Sequence, residues 1–322
     1  MIVVWRIIEH CNLACDFCAY DRRLPFERHE VEAELVENFS GILGDYQKAS
    51  GDKVLLSWIG GEPMLWEPLF RVSQFLRETY GIACSTTTNG STLHLARVRS
   101  EVLANLTELT VSVDGLAEFH NSVRNWPNGW GRLETAIKAL SKERDDVRSP
   151  LLLRANVVLM HDNLSQFEAL CDALADWGFD EITFNQLGGR DRPEFFPMHR
   201  LSESDALSLI SMIPSLQKRM ALRGVRLCGS TPYLERIEAS SRNQKLAITN
   251  CDPGKKFLFI DERGRVSPCN FTSSEFGIPI SDITNVDDLE SLPRVFSKAQ
   301  IIRNHTACQD CPSTQVSAKF AS

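Results

Sequence analysis

Cys11, Cys15 and Cys18 follow directly on the apolar run Ile2–Ile8, and the spacing Cys-x3-Cys-x2-Cys gathers three thiols into one short loop. Iron in a four-iron, four-sulfur cluster usually takes four thiolates, so a triad leaves one iron open to a small molecule. A structural zinc site, whose spacings favour Cys-x2-Cys pairs, and three buried free thiols are the structural alternatives. The remaining cysteines are Cys84, Cys171, Cys228, Cys251, Cys269, Cys308 and Cys311, of which the last two repeat a Cys-x2-Cys spacing.

Other reactive residue types fall where strands should end. Gly60-Gly61-Glu62-Pro63 closes the apolar stretch 54–59. Two glycines let backbone approach a ligand closely, Glu62 can accept from an ammonium, and Pro63 removes a donor and fixes the exit; an ordinary strand-to-helix turn is the plain reading. A third strand, 82–88, runs into Asn89-Gly90. A fourth, 109–115, places Thr110, Ser112 and Asp114 at period two, so they share one face while Val111 and Val113 point towards helices. Capping the next helix is the plain role for Thr88 and Ser112. Strands 151–160 and 181–187 repeat the pattern with Arg154, Asn156, Thr183 and Asn185, polar groups that need partners inside a core. For Arg154 a structural salt bridge competes with a ligand. Helical spacing over 30–48, 67–80, 133–142, 164–177 and 202–223 separates the strands. Alternating strand and helix implies a parallel sheet with right-handed crossovers.

These motifs resemble the radical S-adenosylmethionine (SAM) superfamily. The resemblance implies an α/β fold, a partial (β/α)6 TIM-like barrel over residues 1–223, with its site at the carboxyl ends of the strands. It implies that the open iron chelates the amino and carboxylate groups of SAM, and that an electron from the cluster cleaves the sulfonium to a 5'-deoxyadenosyl radical. Phe17 matches the aromatic position of the cysteine motif, near the adenine. Gly60, Gly61, Glu62 and Pro63 match the motif that contacts the SAM amino group. Thr88, Asn89, Ser112 and Asp114 match strand ends that hold its ribose and carboxylate. Arg124 fits the spacing of an arginine that pairs with that carboxylate; Arg132 and Arg154 are also placed for it, and a surface salt bridge is the plain reading for all three.

Between Lys256 and Pro268, alternation around Gly264 reads as a β-hairpin. With Cys251, Cys269, Cys308 and Cys311 it resembles the auxiliary-cluster extension called SPASM or, in its shorter form, twitch. The resemblance implies a small α+β domain over 251–322, joined by a linker over 224–250, with those four cysteines ligating a second four-iron, four-sulfur cluster. The further cysteines of the longer form are absent, and four-thiolate zinc is the alternative. Full ligation would leave no vacancy for substrate, so such a cluster would pass electrons or shape the pocket. Cys228, in the linker, matches the cysteine that donates a hydrogen atom in radical SAM epimerases; a plain linker or core thiol competes with it. Cys84 and Cys171 read as buried thiols.

With 322 residues and 43% hydrophobic composition the chain can bury one large core and a small satellite. The grouped cysteines, with no signal peptide or membrane-spanning run, suggest a reducing cytoplasm. A net charge of −7 argues against nucleic acid as a partner, and basic stretches such as Arg22-Arg23 or Arg190-Asp191-Arg192 read as solvated loops. The expected reaction is hydrogen abstraction from an unactivated carbon of a small polar natural product, sugar or aminoglycoside-like, leading to oxidation or epimerisation. A reducing partner such as flavodoxin or ferredoxin would feed it. The first strand opens at residue 2, which leans the expectation towards a small substrate. Modification or crosslinking of a ribosomal peptide is the alternative; a non-catalytic iron-sulfur or zinc electron-transfer module is the rival outside the enzymes. No general base can be named from the sequence.

Overall fold

The computed structural model describes residues 1–245, 248, 251–303, 306–311, 313–314 and 319–320. Seven strands run parallel in chain order: β1 (Ile2–Ile8), β2 (Leu55–Gly60), β3 (Ala83–Thr88), β4 (Glu108–Ser112), β5 (Leu152–Leu159), β6 (Glu181–Gln186) and β7 (Arg226–Leu227). After them β8 (Phe257–Ile260) returns to the free edge of β1 and pairs with it in parallel, Ile2 facing Phe257 on one side and Leu55 on the other. Two antiparallel strands, β9 (Arg265–Ser267) and β10 (Ile278–Pro279), complete the sheet. The result is the mixed α/β, open-barrel architecture expected from the alternation of elements.

Period-two sequence explains which side of each strand meets the helices. In β5, Leu153, Ala155, Val157 and Leu159 are fully buried, whereas Leu152, Arg154, Asn156 and Val158 are only half-buried on the lumen side. Arg154 takes the structural role: its guanidinium pairs with Glu108 at 3.0 Å and with Glu181, which also receives Arg226. Under the amino-terminal half, the buried rings of Trp5, Trp58 and Trp66 follow one another at tilted angles, with centroids 6.4 and 6.1 Å apart. Trp58 Nε1 donates to Ser73 and Trp66 Nε1 to the carbonyl of Val31, so these two indoles are buried without losing their hydrogen bonds, whereas Trp5 Nε1 has no partner among the described residues.

Element ends differ from the sequence expectation where side chains capture backbone groups. β4 stops at Ser112 because the Asp114 N–H is donated to His120 Nδ1 instead of to a neighbouring strand. Residues 226–241, read above as part of a linker, supply β7 and the helix Thr231–Ser241, which begins with Pro232 in its first turn. The helices Ala96–Asn105, Ala117–Val123 and Val286–Arg303 were not anticipated. Among the described residues, no helix is long and apolar enough to cross a membrane.

Cys84 and Cys171 are buried thiols, as read. Burial pushes the Cys84 thiol from 9.0 up to about 12, and Cys171 in the same direction. The fold therefore keeps these protons at pH values where the unfolded chain has released them, so stability is lost as pH rises. Chemical denaturation should show a midpoint that declines from about pH 9 upwards, and Cys84→Ala should flatten that decline; a pH-independent midpoint in the parent would contradict it.

Candidate functional site

The cysteine loop leaves β1 and is seated on the β2 turn by backbone alone. Gly61 N–H donates to the Ile8 carbonyl at 2.7 Å and Glu62 N–H to the His10 carbonyl at 2.8 Å. A Cβ on Gly60 would lie 2.2 Å from the Ile8 oxygen, and one on Gly61 2.2 Å from the His10 oxygen. The two glycines thus serve close contact between backbones. Pro63 is buried and opens a short 3-10 turn, Pro63–Leu65.

Two arginines and an asparagine hold the rest of the loop. Arg23 Nη2 donates to the Ala14 carbonyl at 3.0 Å and to Asp16 at 2.7 Å, while Arg28 reaches the carbonyls of Glu9 and Asp21, each at 2.7 Å. Asn125, at φ 48°, donates to the Ala14 carbonyl at 2.7 Å. Arg23 and Arg192 share the buried carboxylate of Asp21. This corrects the reading of Arg22-Arg23 and Arg190-Asp191-Arg192 as merely solvated stretches: Arg23 and Arg192 fasten the cysteine loop.

Glu62 is 1% exposed and ties two strand ends together. Its Oε1 accepts from Thr88 Oγ1 at 2.6 Å and from Met64 N–H at 3.1 Å; its Oε2 accepts from Asn89 N–H at 2.7 Å. Burial raises its pKa against the pull of these donors and of Arg124. Asn89 in turn donates to Asn12 Oδ1 at 2.9 Å and to Cys11 Sγ at 3.8 Å.

Asp114 is wholly buried and Arg124 nearly so. The Asp114 Oδ2 accepts from Arg124 Nε at 2.8 Å and Nη2 at 2.7 Å, and its Oδ1 from Val158 N–H at 2.9 Å. The salt bridge considered for Arg124 is present, but in the interior and not on the surface. Phe17 lies beside it, its ring centre 5.7 Å from the guanidinium carbon. Ser112 is half-buried at the last position of β4. Sequence reasoning missed His120 and Asn163, which fix the Asp114 main chain: His120 Nδ1 accepts from its N–H, and Asn163 Nδ2 donates to its carbonyl at 2.5 Å. Burial and the Arg124 charge push His120 down to about 3, so it stays neutral. Asn12 inside the cysteine motif was the one such residue with a positional signal.

The three thiols suit a cluster. Burial pushes Cys15 up to about 12 and Cys18 to about 11, and raises Cys11, whereas the Arg124 charge opposes the rise in all three. Leu13 N–H donates to Cys11 Sγ at 3.5 Å and Tyr20 N–H to Cys18 Sγ at 3.4 Å. Iron would replace the protons, and the cation and N–H groups already present would stabilise the thiolates. Among the described residues no three His, Cys, Asp or Glu close on a single metal ion; a cluster instead takes each thiolate on a different iron.

Residues 5–174 match the radical SAM superfamily. The chain belongs to that superfamily. That family implies SAM and a four-iron, four-sulfur cluster as cofactors. It is 24% identical over 225 residues to Fe-coproporphyrin III synthase of Methanosarcina barkeri, a match covering 69% of this chain and 53% of that protein. The chain thus spans about half the length of that curated relative. Its fold is similar to Streptococcus suis SuiB bound to S-adenosylmethionine (TM-score 0.67, 15% identity, 100% of this chain and 72% of SuiB). SuiB bound to precursor peptide SuiA gives a TM-score of 0.66. Native anSMEcpe with bound AdoMet gives 0.68 at 16% identity, over 97% of this chain and 88% of that one.

Cys251, Cys269, Cys308 and Cys311 line a single cavity of about 60 Å³. Gln300 Nε2 donates to Cys251 Sγ at 3.3 Å and to Cys308 Sγ at 3.9 Å. Cys228 directly follows β7, is buried, and its thiol faces the Phe320 carbonyl at 3.8 Å. Burial pushes it up to about 11. Beside it Lys319, unforeseen from sequence, donates to Asn156 Oδ1 at 3.1 Å, and burial pulls its pKa down to about 7.

Removing one partner of the interior pair strands the other charge. Asp114→Asn should cost about 3–5 kcal/mol of unfolding free energy, read by chemical denaturation at neutral pH. A loss below about 1 kcal/mol, the range of exposed pairs, would show that water reaches Arg124.

Proposed function

We propose that Cys11, Cys15 and Cys18 hold the radical SAM cluster, and that the enzyme abstracts hydrogen from an unactivated carbon of a small polar or peptide substrate, leading to oxidation or epimerisation. The observation that carries this reading is convergence: the triad, Glu62, Asn89, Asp114 and Arg124 come from the exits of four successive parallel strands and meet at one mouth. When bound, the cluster supplies an open iron for SAM and the electron that releases the deoxyadenosyl radical.

The chain's own residues bind and orient. Gly60 to Pro63, Thr88, Asn89 and Ser112 present the strand ends to SAM, with Glu62 held rigid by its donors and Phe17 facing the adenine. Asp114 and Arg124 act by keeping a fixed positive charge beside the three thiols, and Arg124 offers its remaining face to the SAM carboxylate. Cys251, Cys269, Cys308 and Cys311 hold a second cluster in a twitch-like extension, and Cys228 serves as a hydrogen-atom donor. None of the ten cysteines is joined in a disulfide, which suits a reducing cytoplasm and a flavodoxin or ferredoxin as electron source. The complex of SuiB with its precursor peptide SuiA supports the peptide form of the substrate as the second reading.

Anaerobic reconstitution followed by iron and sulfide analysis, electron paramagnetic resonance and a SAM cleavage assay tests this. About eight irons per chain should fall to about four in the Cys11, Cys15, Cys18 triple alanine variant, with deoxyadenosine formed only by the parent. Zinc in place of iron at the carboxyl-terminal cysteines would remove the second cluster, and iron at neither site would overturn the radical reading.

A further inference from the structure

A cavity of about 640 Å³ opens at the carboxyl end of β6, where Asn185 and Gln186 form part of its wall. Phe271 and Ser313 line both this cavity and the four-cysteine pocket. Asp191, also in its wall, precedes Arg192, whose guanidinium pairs at 3.2 Å with Asp21 of the cysteine loop. The cavity therefore shares wall residues with the four-cysteine pocket and borders the segment that fastens the first cysteine loop.

Its walls carry four cations, Arg190, Arg200, Arg236 and Lys245, against two carboxylates, Asp191 and Asp310. Most of this charge is already engaged. Arg200 spends Nη1 on Asn243 Oδ1 and Nη2 on the carbonyls of Ser240 and Ser241. Arg190 pairs with Asp191 and lies 4.7 Å over the Phe271 ring. Arg236 differs. It projects from the helix Thr231–Ser241, is 8% exposed, and its Nη1 is buried with no hydrogen-bond partner among the described residues. A buried guanidinium donor left unpaired is costly, and such groups in native proteins ordinarily meet a ligand or water.

We infer that Arg236 receives an oxyanion of the substrate, a carboxylate or a phosphate, with Arg190 and Lys245 as a cationic rim. This rests on the reading of the mouth as a radical SAM site and names the substrate class for it.

The test is calorimetric titration of the reconstituted enzyme with glutarate, with inorganic phosphate, and with glycerol as the uncharged control. One or both anions should bind saturably, glycerol should not, and the preferred anion distinguishes the two sources. Arg236→Gln should weaken binding at least about tenfold, as for the loss of one charge-assisted hydrogen bond, and Arg236→Lys should retain part of it. Should Arg236→Gln fail to fold, the double variant Arg190→Gln, Lys245→Gln, altered only at exposed positions, should still weaken binding several-fold. Equal affinity in parent and variants, or no saturable binding of either anion, overturns the inference. Substrate-free SAM cleavage in the same preparations reports on the radical reading separately: parent enzyme that cleaves SAM but ignores both anions sinks the Arg236 inference alone.

Discussion

Asp114 and Arg124 form a charge pair shielded from water, and the geometry of the mouth follows from the need to keep them together. Withdrawing either ion from solvent costs several kcal/mol, which only a well-aligned partner offsets. The pair is therefore held from every side: Val158 N–H on the carboxylate, His120 and Asn163 on the Asp114 main chain, and the end of the helix Ala117–Val123 beneath Arg124. Each restraint also serves the site. Val158 locks the end of β4 to β5, and a fixed guanidinium leaves a permanent positive charge beside three thiols that burial alone would keep protonated.

Glu62 does for β2 and β3 what Asp114 does for β4 and β5. Its carboxylate collects donors from Met64, Thr88 and Asn89, while the turn that carries it packs against carbonyls of the cysteine loop with no room for a Cβ. Parallel strands make this economical, because all their carboxyl ends emerge on one side of the sheet. Two carboxylates consequently suffice to lock four strand exits and the loop leaving a fifth into one rim.

Much of this was legible beforehand. The cysteine spacing, the Gly60 to Pro63 turn and the period-two polar residues of β4 and β5 are local patterns, and local patterns survive in a linear sequence. The partners were not legible. Arg124 was read as a ligand contact or a surface salt bridge, and its partner is the interior Asp114; Gly60 and Gly61 were read as a ligand approach or an ordinary turn, and they pack on the backbone of the cysteine loop; Arg23 and Arg192 were read as solvated and instead fasten that loop through Asp21. In each case the residue type announced a strong interaction, and only the register of distant segments chose its counterpart. The same holds for β8, whose alternation marks a hairpin strand but not its parallel pairing with β1.

What the sequence by itself determined is the chemistry available: three thiols in one loop, glycines and a carboxylate at a strand exit, a repeated strand and helix rhythm that demands a parallel sheet, and a family membership that follows from them. What tertiary structure alone decided is which charges face each other and which stay free. Asp114 with Arg124, Glu62 with Thr88, the four late cysteines around one cavity and the unpaired donor of Arg236 all join residues remote in the chain. Spacing along a chain governs only neighbours within a turn or a strand, whereas burial, which makes a charge pair obligatory and an unpaired donor costly, exists only once the chain has closed on itself.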